Sequence, residues 1–234
     1  MSKAPGFLQT SVGKKYIMAI TGILLFGFVI AHMLGNLQVF SGPEKLNSYA
    51  KFLKDLGPVL WAARLFLLGA FVLHVVTAIR ISTENKKART QGYQVFNTKV
   101  ASYASRTMIY SGIIVLSFLI YHLLHFTLGV TNPDFMELKD AQGRHDVYTM
   151  VVTGFKSLPV SIAYIVSMIV LCFHLNHGLF SLFQTLGVNS PQSDPLLKKV
   201  SLVISLLIFV GNTSMPVAVL MDVVKVTAIP SGGL

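Results

Sequence analysis

Charge is what this chain has least of. Only 28 of its 234 residues are Asp, Glu, Lys or Arg (9 acidic and 19 basic), while 53% are apolar. A water-soluble chain of this length needs far more charge to coat its surface, so composition places it in the membrane class. Cysteine is nearly absent. Cys172 stands alone in an apolar run, which excludes an intrachain disulfide and any Cys-based zinc or iron–sulfur site. A packed core thiol is its plain reading. The long apolar runs do not alternate with polar residues, as barrel strands would, so they read as helices. The net charge of +10 could suit nucleic acid, but the basic residues lie between apolar runs. That placement suits a membrane surface, and no nucleic-acid partner is expected.

A spanning helix needs about 20 mostly apolar residues. Five segments qualify, at about 16–39, 58–81, 106–130, 158–186 and 197–221. The first follows Lys14-Lys15 and exceeds the apolar core of a signal peptide, so it reads as a retained span. Connections are short. Glu44 to Asp55 reads as a short interfacial helix, and the longest connection, Thr131–Ser157, carries four acidic residues. The expected architecture is all-α: one transmembrane domain over 1–234, a bundle of five helices. Lys and Arg number 11 on one side and 8 on the other, and the second set is diluted by six acids. This bias predicts a cytoplasmic N-terminus and an outer C-terminus.

Histidine is the polar residue the spans do contain. His32, His74, His122, His125, His174 and His177 fall in the first four, and a histidine in lipid is costly enough to raise a functional question. The seventh, His145, falls in a loop and reads as solvated. At ~1.5 Å rise per residue, His32 and His122 both lie ~24 Å from the inner ends of their spans. His74 lies ~10 Å and His174 ~18 Å from theirs. Each layer thus draws one histidine from each of two helices, as a haem iron with two imidazole ligands requires. Small neighbours such as Gly35, Ala70, Ala78 and Gly178 would let a flat ring approach. Depth alone leaves His122 against His125, and His174 against His177, undecided, and leans slightly toward His177. A proton relay in a non-haem transporter is the rival reading, although no Asp or Glu lies mid-span to share in it.

Several short motifs then point one way. They are His32-Met33-Leu34-Gly35-Asn36, Leu73-His74-Val75-Val76, Ser105-Arg106 ahead of Gly112, Tyr121-His122, and Phe173-His174-Leu175-Asn176-His177-Gly178-Leu179-Phe180. In this order the chain resembles the single-subunit, five-helix dihaem cytochrome b anchor of succinate dehydrogenase and fumarate reductase. The resemblance implies two haems b: His32 and His122 on a distal iron, His74 and His174 on a proximal one. Arg106 would meet a haem propionate. It implies electron transfer between membrane quinone (menaquinone in many anchors of this type) and cytoplasmic flavoprotein and iron–sulfur partners, in the cytoplasmic membrane of a bacterium. The basic loop with Lys86, Lys87, Arg89 and Lys99 would face the iron–sulfur partner, and whole complexes could pair into dimers. Asp55 and Arg64, at the start of the second span, are the candidates beside quinone. The chain itself shows no flavin or dinucleotide motif, so succinate chemistry falls to the partners. The dihaem anchor of another quinone-linked oxidoreductase is the alternative within the same chemistry.

Overall fold

The computed structural model describes Gly6, residues 10–87 and residues 103–226, with side chains in the last stretch from Met108 onward. Among the described residues seven α-helices follow in order: α1 (Ser11–Asn36), α2 (Pro43–Asp55), α3 (Pro58–Lys87), α4 (Tyr103–His122), α5 (Val147–Lys156), α6 (Leu158–Thr185) and α7 (Asp194–Leu220). No strand occurs among the described residues. Five helical segments are long and apolar enough to cross a bilayer, so the protein is an all-α integral membrane protein.

Helix ends differ from the expected spans because apolar content marks the part in lipid, not the hydrogen-bonded length. Thus α1 starts at Ser11 and takes in Lys14 and Lys15, and α3 runs past Arg80 to Lys87. Lysine and arginine are good helix formers and reach the headgroups on long stems. Glycine and proline set the turn after α1. Gly42 has φ 91°, a left-handed value that favours glycine, and Pro43 follows at the first turn of α2. Helix α2 confirms a helix between Glu44 and Asp55.

The chain packs as two compact units. One comprises Met1–Ile30, Pro58–Ile113 and Leu171–Leu206; the other comprises Ala31–Gly57, Ile114–Val170 and Leu207–Leu234. Among the described residues, extended close backbone packing is confined to α2 with α5 and with the turn at Leu37–Ser41.

In the second unit Val39, Leu46, Tyr148, Val152, Phe155, Met215 and Val219 form a buried core. Three of these come from α5, a helix within the connection Thr131–Ser157 that length and apolar content alone do not mark. Its signal was present, because Asp146 precedes the apolar run and its side chain accepts from the Thr149 amide at 3.0 Å, an N-cap.

Asn47, 1% exposed, ties α2 to this core. Its Nδ2 donates to Asp146 Oδ1 at 2.9 Å and its Oδ1 accepts from the Tyr148 amide at 2.9 Å. Replacing Asn47 by alanine strips the Tyr148 amide of this partner and Asp146 Oδ1 of one of its two donors, and should cost about 1–3 kcal/mol, read as a lower thermal midpoint of the detergent-solubilised protein.

Beside it, Arg144 binds the Glu44 carboxylate through both terminal nitrogens, at 3.0 and 2.7 Å, and Asp140 Oδ2 through Nε at 2.6 Å. Arg144's hydrogen bonds hold the Glu44 carboxyl below the usual range. Burial pushes Asp140 upward, but Arg144 and local backbone amides overcome it and the net shift is down. A lowered folded pKa means stability present at neutral pH and lost as pH falls through that lowered value. The thermal midpoint should therefore hold from neutrality to about pH 5 and drop below about pH 4, and Arg144→Gln should flatten that acid limb.

Candidate functional site: histidines within the spans

The first unit holds His74 on α3 and His174 on α6, and both are half-buried. His74 Nδ1 lies 3.0 Å from Thr21 Oγ1 of α1. His174 Nδ1 lies 3.1 Å from Ser111 Oγ of α4. Each hydroxyl is followed by a glycine that receives the ring. A Cβ on Gly22 would stand 3.7 Å from His74 Cε1, and one on Gly112 would stand 3.6 Å from His174 Cε1. These are ordinary contacts, so alanine fits there. His177 lies just under one turn beyond His174 and has no hydrogen-bond partner among the described residues.

The second unit holds His32 on α1 and His122 at the end of α4. Their ring centroids are 5.8 Å apart and nearly perpendicular, at 84°. Two imidazoles bound to one metal ion would have centroids about 6 Å apart, from ~2 Å per metal–nitrogen bond. His122 Nδ1 approaches the Tyr164 hydroxyl at 3.3 Å, leaving Nε2 for another partner. His32 Nε2 meets Asn36 Nδ2 at 3.1 Å, so an iron there requires that amide to turn away. The facing rings of His32 and His122 are what fits a bis-imidazole cofactor.

His125 has a different character. It is 1% exposed and lies in a π-turn, Leu123–Thr127, closed by the Leu128 amide on the Leu123 carbonyl at 2.8 Å. Its Nδ1 bonds Tyr164 at 3.0 Å, and its ring packs on Phe126 and Tyr121. A hydrogen-bonded core histidine is what its surroundings describe. His145 is half-buried rather than merely solvated, with Nδ1 3.2 Å from the Leu138 carbonyl.

Gly35 plays another part than expected. Tyr49 of α2 covers it, with the ring 2.7 Å from where a Cβ would be, so its smallness admits Tyr49. Gly178 lies 3.9 Å from Met108 by the same measure. Asp55 is exposed and pairs with Lys51 at 2.7 Å, one turn back. Arg64 is exposed and sits 5.1 Å over the Trp61 ring. Lys86 and Lys87 end α3 on the surface. Arg89, Lys99 and the side chain of Arg106 lie outside the described residues.

The hydroxyl–glycine pairs are what the sequence reading missed, and a repeat could have revealed them. Thr21-Gly22 and Ser111-Gly112 each precede a span histidine, His32 and His122, by eleven residues. The segments Thr21–His32 and Ser111–His122 share five of twelve residues: the glycine, two isoleucines, a phenylalanine and the histidine.

Fold and site together define a class: a multi-pass, all-α membrane protein whose spans hold paired histidines. The chain belongs to the family of succinate dehydrogenase/fumarate reductase transmembrane subunits, which matches residues 83–211, more than half its length. That family provides the membrane subunit of an oxidoreductase complex. The match includes His122, His125, His174 and His177, while His32 and His74 precede it. Neither a curated protein nor a solved structure matches the chain.

Proposed function

We propose that the chain acts as one transmembrane domain, the cytochrome b anchor through which electrons pass between an iron–sulfur subunit and membrane quinone. The observation that carries this reading is the His32–His122 pair: two helices present imidazoles at 5.8 Å, a separation suited to a single iron. The family match adds the type of complex. His32 and His122 hold one haem b, and His74 and His174 hold the other. When bound, the two haems supply one-electron transfer steps across the membrane.

The chain's residues do the rest. Thr21, Ser111 and Tyr164 orient three of the four imidazoles, and the apolar spans keep water from them. Arg106 is assigned to a propionate, because its fork of donors suits a carboxylate. Asp55 and Arg64 are assigned to the quinone, menaquinone in this reading; Lys51 and Trp61 now engage them. The N-terminus faces the cytoplasm of a bacterium. The flavoprotein and iron–sulfur subunits dock on that side, where Lys86 and Lys87 lie, and assembled complexes can pair.

The test is a reduced-minus-oxidised visible spectrum of the purified complex, with haem counted per chain. Two haems b per chain, reduced by succinate through a flavin-bearing partner, are expected. A haem-free protein would return the histidines to a proton-relay role. Two haems with a molybdenum or nickel partner would assign the chain to a different quinone-linked oxidoreductase.

A further inference from the structure

His74 and His174 are each held by a hydroxyl whose own proton is already committed. Thr21 Oγ1 lies 2.8 Å from the Ile17 carbonyl and 3.2 Å from that of Met18. Ser111 Oγ lies 2.9 Å from the Met108 carbonyl. A carbonyl can only accept, and a hydroxyl has one proton, so a hydroxyl that donates to the backbone must accept from the ring. A neutral imidazole has one N–H. With that proton on Nδ1, Nε2 keeps a bare lone pair.

We infer that Thr21 and Ser111 are positioning residues that lock His74 and His174 in the Nδ1–H tautomer, leaving each Nε2 as the iron donor and making both imidazoles stronger donors. The inference rests on the dihaem reading and deepens it. Three features of the structure support it together. The same three-part chain of carbonyl, hydroxyl and imidazole occurs on two separate helix pairs, α1 with α3 and α4 with α6. Each hydroxyl is followed by the glycine against which the ring rests. The two hydroxyl–glycine pairs stand at one distance from the next histidine along their helices.

The His32–His122 pair is held differently. Tyr164 has one proton to divide between His122 and His125, and His32 meets an amide. The two irons would therefore sit in unlike fields. A hydroxyl accepting from Nδ1–H raises the basicity of the ligand, which favours the ferric state and lowers the midpoint potential.

The experiment is a redox titration, followed by visible spectroscopy, of the whole complex carrying Thr21→Val, Ser111→Ala, Thr21→Ser or Ser111→Thr. The expected result is that Thr21→Val and Ser111→Ala each retain both haems but raise the midpoint of one, the same one in both variants. The other midpoint stays in place, and Thr21→Ser and Ser111→Thr restore the original value. Retention of the affected haem should weaken by about 10-fold in a competition with an apo haem-binding protein. Two haems with unmoved midpoints in both hydroxyl-free variants would overturn the inference while leaving the dihaem reading intact. So would equal shifts in Thr21→Val and Thr21→Ser, which would make the position steric. A haem-free parent complex would instead defeat the dihaem reading itself.

Discussion

A complex carrying His174→Ala is expected to lose one of its two haems, while His177→Ala keeps both with unchanged spectra. The two residues share α6 and lie less than a turn apart, so burial in lipid does not distinguish them. Their partners do. His174 has its Nδ1 on Ser111, whose proton already serves the Met108 carbonyl, and its Cε1 faces Gly112. A ligand needs this kind of orientation, because a ring free to spin spends much of its time pointing away from the metal. Removing a ligand eliminates a bond to iron, and no neighbouring side chain at the same geometry replaces it. The expected loss is complete for one haem, with the residual spectrum that of the His32–His122 site. The reverse outcome, with His177→Ala abolishing a haem, would move the ligand along the helix and leave Ser111 with a purely structural role.

The second large effect separates His122 from His125. His122→Ala should abolish the other haem with a modest change in stability. His125→Ala should keep both haems and destabilise the protein by about 2–4 kcal/mol, because it opens a cavity among aromatic rings and strips the Tyr164 hydroxyl of a partner. His122 is half-buried and faces His32 across a gap of 5.8 Å between centroids. His125 is enclosed by Phe126, Phe135 and Tyr121, with no open side for a porphyrin. Haem content and thermal midpoint measured on the same two preparations check both halves. If His125→Ala lost a haem and left the midpoint alone, the assignments would exchange.

Much of this fold could be read from residue chemistry. The long uncharged runs required spanning helices, since lipid offers backbone amides no other partner, and the charged residues bounded the lipid-facing portions. The helices themselves extend farther because Lys14 or Arg80 bounds an apolar run without ending a hydrogen-bond ladder. Helix α5 was hidden for the opposite reason. It is ten residues long, and its apolar face packs on protein rather than lipid, so no length criterion flags it.

Depth set His32 level with the segment that carries His122 and His125, because rise per residue is nearly constant in a helix, but it left the choice between those two open. The choice between His174 and His177 could not follow from depth. It depends on which ring meets a hydroxyl on another helix, and one sequence does not state which faces of α4 and α6 meet. Gly35 shows the same limit from the other side. A glycine near a histidine reads as room for a cofactor, yet the neighbour that needs the room is Tyr49.

The π-turn at Leu123–Thr127 bears on how this chain should be compared with its relatives. A loop closed between Leu128 and Leu123 holds one residue more than an α-helical turn. A relative with an unbroken α-helix here would align only if a one-residue gap is opened inside this turn. Without the gap, every position from the turn onward is compared with the wrong neighbour, and His125 could be scored against a residue that never faces Tyr164.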